Sequence, residues 1–169
     1  MDRFVALDVE IASRSPLRIC AIGVARMEGG RETETYRSLI RVEGSVNFSR
    51  IHGLTAADLK GAPSWPAAWR EVLNVLGDIR TVVAFKASFD RGAILSMAAR
   101  HGLRLPRLQF LCAAAMMETR YGRRFDLSAS LDYLGLPFPG HPHDPLADAR
   151  AAALIALACN ATPGTAQEY

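Results

Sequence analysis

The hydrophobic and polar positions of the chain begin with an apolar run that ends in two acids. Residues 3–10, R-F-V-A-L-D-V-E, are typical of a strand buried on both faces of a parallel or mixed sheet. Side chains alternate along a strand, so Asp8 and Glu10 project from the same face near the end of the run. The pattern therefore predicts a buried strand that carries two carboxylates to one place.

Further strand and helix patterns alternate along the rest of the chain and predict an α/β fold. Residues 11–17 are predicted as a polar loop, and Gly29-Gly30 as the turn of an antiparallel hairpin. Phe89 is expected on the same side of its helix as Ala93 and Met97. The predicted strands are 3–10, 18–28, 31–42, 80–85 and 108–111. The predicted helices are 56–59 after a Thr55 cap, 65–76 after a Ser64 cap, 88–101, 113–121, 128–136, and 145–159 after an Asp144 cap.

Length and composition indicate one globular domain over residues 1–161, followed by a flexible tail. The 169-residue chain is 50% hydrophobic and 22% charged, which excludes an intrinsically disordered protein. Residues 162–169 contain Pro and Gly without periodicity, and we expect this tail to be frayed.

Cysteine usage and the N-terminal sequence suggest a cytoplasmic protein that neither is exported nor spans a membrane. The three cysteines are far apart and lie among apolar residues, which favours reduced core thiols over disulfides or a zinc site. No signal-peptide pattern and no apolar run near 18 residues is present in the sequence.

One region of the chain is unusually basic. The net charge is +3, and residues 100–124 contain six arginines with Glu118 as the single acid. Such a stretch suits a phosphate-bearing substrate, although a solvated surface explains it equally well.

Chemistry-bearing side chains lie at the ends of three predicted elements. Asp8 and Glu10 close the first strand, Asp90 opens a helix after a later strand, and His143 and Asp148 flank the start of the last helix. Two carboxylates held together beside an apolar strand need compensation, and hard oxygen ligands suit Mg²⁺ or Mn²⁺.

Each of these residues also has a simpler explanation. The first strand could end in solvent, Asp90 could interact with the helix dipole, and Asp148 could pair with Arg150. A loop histidine such as His143 is more often a surface residue than a catalyst.

The ordered combination of motifs resembles the DnaQ-like, DEDDh-type 3′→5′ exonucleases of the ribonuclease H-like superfamily. The resemblance runs from Phe4 to about Ala158 and includes relatives such as the exonuclease domain of the DNA polymerase III epsilon subunit. It rests on D-V-E (residues 8–10), S-F-D-R (88–91) and H-D-P-L-A-D-A-R (143–150), in the family's order. I-H-G-L-T (51–55) is similar to the family's loop that contacts the terminal nucleotide.

The resemblance implies a ribonuclease H-like α/β fold, with a central mixed five-stranded sheet flanked by helices, and a phosphodiester hydrolase. Asp8, Glu10, Asp90 and Asp148 would hold two divalent cations, Mg²⁺ or Mn²⁺. His143 would accept the proton of the attacking water. The expected substrate-binding residues are Ile11, His52, Gly53, Leu54, Lys86 and Phe89.

The implied activity is removal of nucleoside 5′-monophosphates from the 3′ end of single-stranded DNA or short RNA. A DNA polymerase subunit and a second copy of the chain are further candidate partners. The motifs do not choose between DNA and RNA, because that choice depends on the pocket around the 2′ position.

Two departures from the family's pattern support an alternative. The family usually has Thr where Ile11 stands, and often His-Asn where this chain has Phe85-Lys86. The alternative is a catalytically weakened module of the same fold that binds nucleic-acid ends or a polymerase partner. A third reading is an unrelated α/β metal-binding protein.

Overall fold

The sheet at the centre of the fold is mixed and five-stranded, as predicted. The structure is a computed structural model that describes residues 1–160, so the predicted tail over residues 162–169 lies outside the described residues. The strand order is β3-β2-β1-β4-β5, with antiparallel pairing among the first three strands and parallel pairing of β1 with β4 and of β4 with β5. The strands are β1 (Arg3–Arg14), β2 (Leu17–Glu28), β3 (Arg31–Leu39), β4 (Thr81–Ala84) and β5 (Gln109–Cys112).

The first strand is longer than its apolar run, and the predicted loop over residues 11–17 is reduced to a turn at residues 15 and 16. β1 continues to Arg14 because residues beyond Glu10 still pair with β2. The pairing passes register shifts between Glu10 and Ile11 and between Ile11 and Ser13, which interrupt the alternation. Asp8 and Glu10 consequently lie within the strand and not at its end.

Seven helices occur within the described residues, and the five longest of them pack on the sheet. They are α1 (Ser49–His52), α2 (Ala56–Leu59), α3 (Trp65–Leu76), α4 (Ala87–Arg100), α5 (Ala113–Tyr121), α6 (Leu127–Leu134) and α7 (Pro145–Asn160). The helix α1 was not predicted, because a single four-residue turn has no hydrophobic periodicity to detect. None of the helices in this part of the chain is long and apolar enough to cross a membrane.

Each face of the sheet has its own core, and alternation along β1 divides its side chains between them. Val5 and Leu7 pack with residues of α3 and α4, whereas Phe4 and Ala6 pack with residues of α5, α6 and α7. Asp8 is two and four residues from Ala6 and Phe4, so its side chain lies on the same face of β1, the face covered by α7. The sheet therefore directs its acids toward the helix that carries Asp148.

Two smaller predictions about side chains have different outcomes. Cys20, Cys112 and Cys159 are free thiols, as predicted. Phe89 was expected on the same side of its helix as Ala93 and Met97, but Phe89 is 41% exposed while the other two residues are buried. Phe89 lies in the first turn of α4 and belongs to neither of the two cores.

The N-terminus of α7 lies directly against β2 at Gly23. A Cβ atom on Gly23 would collide with the backbone of Pro145 and Leu146. In the sheet Gly23 is paired with Asp8 on β1, so the close approach occurs beside the first acid. Glycine at this position is what lets the start of α7 reach the sheet.

Replacing Gly23 with alanine should displace α7 and destabilise the protein. We expect Gly23→Ala to lower the free energy of unfolding by about 1–3 kcal/mol, the usual cost of overpacking. Urea denaturation followed by circular dichroism measures this cost. Gly61→Ala is the matched control, because a Cβ there meets no atom within 4 Å. Equal stability of the two variants would contradict the packing argument.

Candidate metal and active site

The site begins where two strands of the sheet separate. β1 pairs with β4 only through Val5 with Val82 and Ala6 with Val83, whereas β1 itself continues to Arg14. Beyond this point the backbone N–H of Val9 donates to Oδ1 of Asp90 at 3.2 Å. The carboxylate of Asp90 thus satisfies a main-chain donor next to β1 and is held beside the two strand acids.

Asp90 is placed by the first turn of α4, directly after β4. Its side chain is 2% exposed. A buried carboxylate that accepts one main-chain hydrogen bond still has lone pairs left for another partner. Asp90 therefore presents an incompletely satisfied acid to the space beside β1.

Asp148 enters the same space from the first turn of α7. Asp144 caps this helix by accepting hydrogen bonds from the backbone N–H groups of Leu146 and Ala147 at 3.0 and 3.2 Å. Oδ2 of Asp148 accepts from the backbone N–H of His143 at 3.3 Å. Oδ1 of Asp148 is buried and has no hydrogen-bond partner within residues 1–160.

Arg150, the alternative partner for Asp148, pairs with a different acid. Arg150 forms an ion pair with Glu32 of β3 at 2.7 Å. A second ion pair at 2.7 Å joins Arg37 of β3 to Asp144. These contacts tie the start of α7 to the edge strand and leave the Asp148 carboxylate facing β1.

His143 lies between the loop and the strand acids. Its backbone has a positive φ of 65°, which is uncommon for a residue other than glycine. Its Nδ1 lies 3.8 Å from Oε1 of Glu10, and its side chain is 53% exposed. Ligand atoms of Glu10, His143 and Asp148 all lie within 4.8 Å of one another.

All four converging carboxylates have raised pKa values, mainly because they are removed from water. Burial and then the charges of Asp90, Asp148 and Glu10 raise the pKa of Asp8 well above its usual value. Burial, followed by the charges of Asp148 and Asp90, raises the pKa of Glu10 to about 8.

The pKa of Asp90 is raised by burial to about 7, against the lowering effect of the hydrogen bond from Val9. The pKa of Asp148 is raised by burial to about 6. Four acids in one desolvated place cannot all ionise unless positive charge joins them.

The donor set fits a hard divalent cation. Carboxylate oxygens are the ligands that Mg²⁺ and Mn²⁺ prefer, and the unpartnered Oδ1 of Asp148 has a lone pair available to a cation. Asp8, Glu10, Asp90 and Asp148 are the residues that could hold such ions.

A cleft of about 520 Å³ surrounds these acids, and we call it the acidic cleft. Besides the five converging residues, it is lined by Lys86 and Phe89 from the predicted set. Sequence reasoning did not assign several other residues of its wall, because no motif marks them. They are Phe85, Asp126, Leu127, Ser128, Phe138 and Pro142, with Val9 between the strand acids.

The other predicted substrate residues do not line the acidic cleft. Ile11 is 6% exposed and packs in the core with α3 and α4. His52, Gly53 and Leu54 lie at the end of α1, where Gly53 adopts φ 74° and terminates the helix. Of this segment, Ile51 lines the cleft.

A hydrogen-bonded histidine holds that segment against β1. The backbone N–H of Leu54 donates to Nδ1 of His52 at 3.1 Å, so Nε2 carries the proton and donates to the carbonyl of Ile11 at 3.2 Å. Burial lowers the pKa of His52, which favours this neutral form. Residue 11 thus contributes its backbone carbonyl to the support of the cleft wall.

Comparisons with known proteins identify the fold and the family. No curated protein matches the chain in sequence. The nuclease domain of 3′hExo, a DEDDh family member solved with bound rAMP, is 17% identical with a TM-score of 0.80, covering 92% of this chain and 90% of that one. Exonuclease X in complex with 5′ overhanging duplex DNA is 22% identical with a TM-score of 0.69, covering 91% and 90%.

A third similar structure contains metal ions. S. pombe Pop2p in its Mg²⁺- and Mn²⁺-bound form is 16% identical with a TM-score of 0.69, covering 91% of this chain and 81% of that one. These likenesses confirm the ribonuclease H-like fold. The family model described as Exonuclease (RNase_T) matches residues 5–156, and the chain therefore belongs to this exonuclease family.

Proposed function

We propose that the protein is a divalent-metal-dependent 3′→5′ exonuclease that acts on single-stranded DNA or short RNA and releases nucleoside 5′-monophosphates. The observation that carries the proposal is the convergence of Asp8, Glu10, Asp90 and Asp148 in one cleft with raised pKa values, beside His143. Carboxylates arranged in this way are poorly explained by stability, because their mutual repulsion opposes folding.

The four carboxylates would hold the cations, with two ions as the family resemblance implies. Bound cations activate water and stabilise the leaving oxygen in phosphodiester hydrolysis. Pop2p, which shares the fold, was solved with Mg²⁺ and Mn²⁺, and this supports the choice of these ions. The buried, unpartnered Oδ1 of Asp148 is available as a ligand atom.

His143 is the candidate general base. It is the most exposed member of the cluster, and Glu10 lies within 3.8 Å of its Nδ1. An imidazole at the rim can accept the proton of an attacking water and pass it to solvent. The hydrogen bond from its backbone to Asp148 fixes the loop that carries the ring.

The remaining cleft residues suit a nucleotide. Ile51, Phe89 and Phe138 give an apolar wall against which a base and sugar can pack, and Lys86 gives a cation for a phosphate. The direction of attack is supported by the 3′-exonuclease named among similar structures. Release of a mononucleotide is supported by the rAMP bound to 3′hExo, which is a nucleoside monophosphate.

The direct test uses oligonucleotides labelled at either end, with Mg²⁺ or Mn²⁺. A 5′ label should appear on a ladder of progressively shorter strands, and a 3′ label should appear at once in a mononucleotide. Asp148→Asn should lower the rate about 10²-fold or more, since each lost ion contact removes several kcal/mol of transition-state stabilisation. Asp132→Asn is the control, because Asp132 is exposed and lies outside the cleft.

Two results would reject parts of this proposal. Shortening from the 5′ end would reject the polarity. Binding of strands without any metal-dependent cleavage of DNA or RNA would instead favour the catalytically weakened binding module.

Replacement of His143 should abolish most of the rate without disturbing the loop. His143→Asn keeps a residue that tolerates positive φ, so the expected 10²–10⁴-fold loss in kcat reports on the missing base. Added imidazole should restore part of the rate. His141→Asn in the same loop is the control, and a full rate in His143→Asn would remove His143 from the mechanism.

The raised carboxylate pKa values predict how pH affects the metal-free protein. Between the unfolded and folded pKa values the folded state binds more protons than the unfolded state, so stability falls as pH rises. For Asp148, Asp90 and Glu10 this window runs from about 4 to about 8.

Thermal unfolding with EDTA and with Mg²⁺ measures this effect. We expect Mg²⁺ to raise Tm more at pH 8 than at pH 5.5, because the acids bind cations only when ionised. An equal rise in Tm at both pH values would contradict the assigned ligands.

A further inference from the structure

A second cavity, of about 380 Å³, lies away from the acidic cleft. Its walls come from the β1–β2 turn, the segment after β3, the start of α3 and the end of α4. It shares no lining residue with the acidic cleft. We call it the arginine cavity after Arg18, Arg41 and Arg100, which line it.

The arginine cavity is strongly basic. Besides its three arginines it is lined by His101, and Glu43 is its one acidic residue. Within residues 1–160, none of the ion pairs involves Arg18, Arg41 or Arg100. Several uncompensated cations around one concavity favour an anionic occupant.

Arg18 is fixed in place by neutral groups. Its Nε donates to the hydroxyl of Ser13 at 2.8 Å and one terminal nitrogen donates to the carbonyl of Ser45 at 3.1 Å. Gly44, at φ 88°, lies against the guanidinium so closely that a Cβ there would be 2.9 Å from a terminal nitrogen. The charge of Arg18 is therefore oriented but not neutralised, as a pre-formed phosphate site requires.

Trp65 gives the arginine cavity an aromatic wall. It lines the cavity, and the residue is 1% exposed. Its indole N–H is buried away from solvent without a partner among the described residues, as is the N–H of Trp69, which does not line the cavity. The attraction for an anion therefore comes from the arginines, and Trp65 places a fluorophore beside them.

We propose that the arginine cavity binds a phosphodiester group of the same nucleic-acid strand whose 3′ end occupies the acidic cleft. This rests on the proposed function. The helix α4 joins the two sites, with Asp90 in its first turn and Arg100 at its end. Ten residues of helix span about 15 Å, a distance that a single strand of a few nucleotides can cover.

A second segment and two further cations connect the sites. Residues 41–51 run from the wall of the arginine cavity to Ile51 in the acidic cleft. Arg50 lies on this segment, and Arg14 stacks over Phe48 with its charge 5.7 Å from the ring centroid. Both arginines are exposed, which gives the backbone of a strand a basic path between the two sites.

The test is binding of fluorescein-labelled dT12 in EDTA, measured by fluorescence anisotropy over a range of salt concentrations. Arg41→Ala/Arg100→Ala should weaken binding at least tenfold at low salt. It should also make the negative slope of log K against log salt shallower by about 1.4, since each lost phosphate contact on a single strand contributes about 0.7 to its magnitude. Arg31→Ala/Arg70→Ala removes equal charge from exposed positions outside both sites and should bind as the wild type does.

Tryptophan fluorescence gives a local readout, because Trp65 and Trp69 are the two tryptophans of the chain. Titration with dT12 should change this fluorescence in the wild type and not in the Arg41→Ala/Arg100→Ala variant. The proposal is overturned if the wild type does not bind dT12, or if the two double variants bind it equally. It is also overturned if inorganic phosphate changes the fluorescence while dT12 does not.

The same variants separate this inference from the proposed function. Exonuclease activity with no difference between the two double variants in kcat/KM for dT12 rejects the strand path alone. Binding of dT12 that depends on Arg41 and Arg100, without metal-dependent cleavage, rejects the exonuclease and supports the strand path.

Discussion

Electrostatic repulsion among four desolvated carboxylates is the constraint around which the site is built. Each acid comes from a different point of the scaffold, and each is held by packing or by a main-chain hydrogen bond. Asp90 is fixed by the N–H of Val9 and Asp148 by the N–H of His143. Repulsion among the acids lowers the stability of the folded protein, which is typical of a functional site and not of a structural one.

Two features of the backbone make this arrangement geometrically possible. The early end of β4 opens the sheet beside Val9, and Gly23 admits the first turn of α7 to the sheet surface. Ion pairs from β3 to Asp144 and Arg150 then fix the N-terminal end of that helix against the sheet. The acids on β1 and the acid on α7 meet for two reasons. β4 no longer pairs with β1 at this level, and Gly23 has no side chain that would hold α7 away from the sheet.

Sequence reasoning could predict the main elements from local patterns, whereas the convergence of the acids was expected from the ends of three predicted elements and from the resemblance to an exonuclease family. The apolar run before Asp8, the Gly29-Gly30 turn and the Asp144 cap each carry a strong local signal, and the structure has the corresponding elements. The extension of β1 past Glu10 could not be predicted, since pairing with β2 overrides the turn-like sequence there. Part of the cleft wall was missed for a similar reason, because residues such as Phe138 reach it only through tertiary packing.

The carbonyl of Ile11 has a consequence for how the protein tolerates sequence change. Because His52 is anchored to that main-chain oxygen, the loop bearing Ile51 is indifferent to the identity of the side chain at position 11. What the position must supply to the core is a residue that fills apolar volume, a demand that isoleucine meets. Replacing Ile11 with another apolar side chain of similar volume would therefore leave in place the hydrogen bond that supports this side of the cleft.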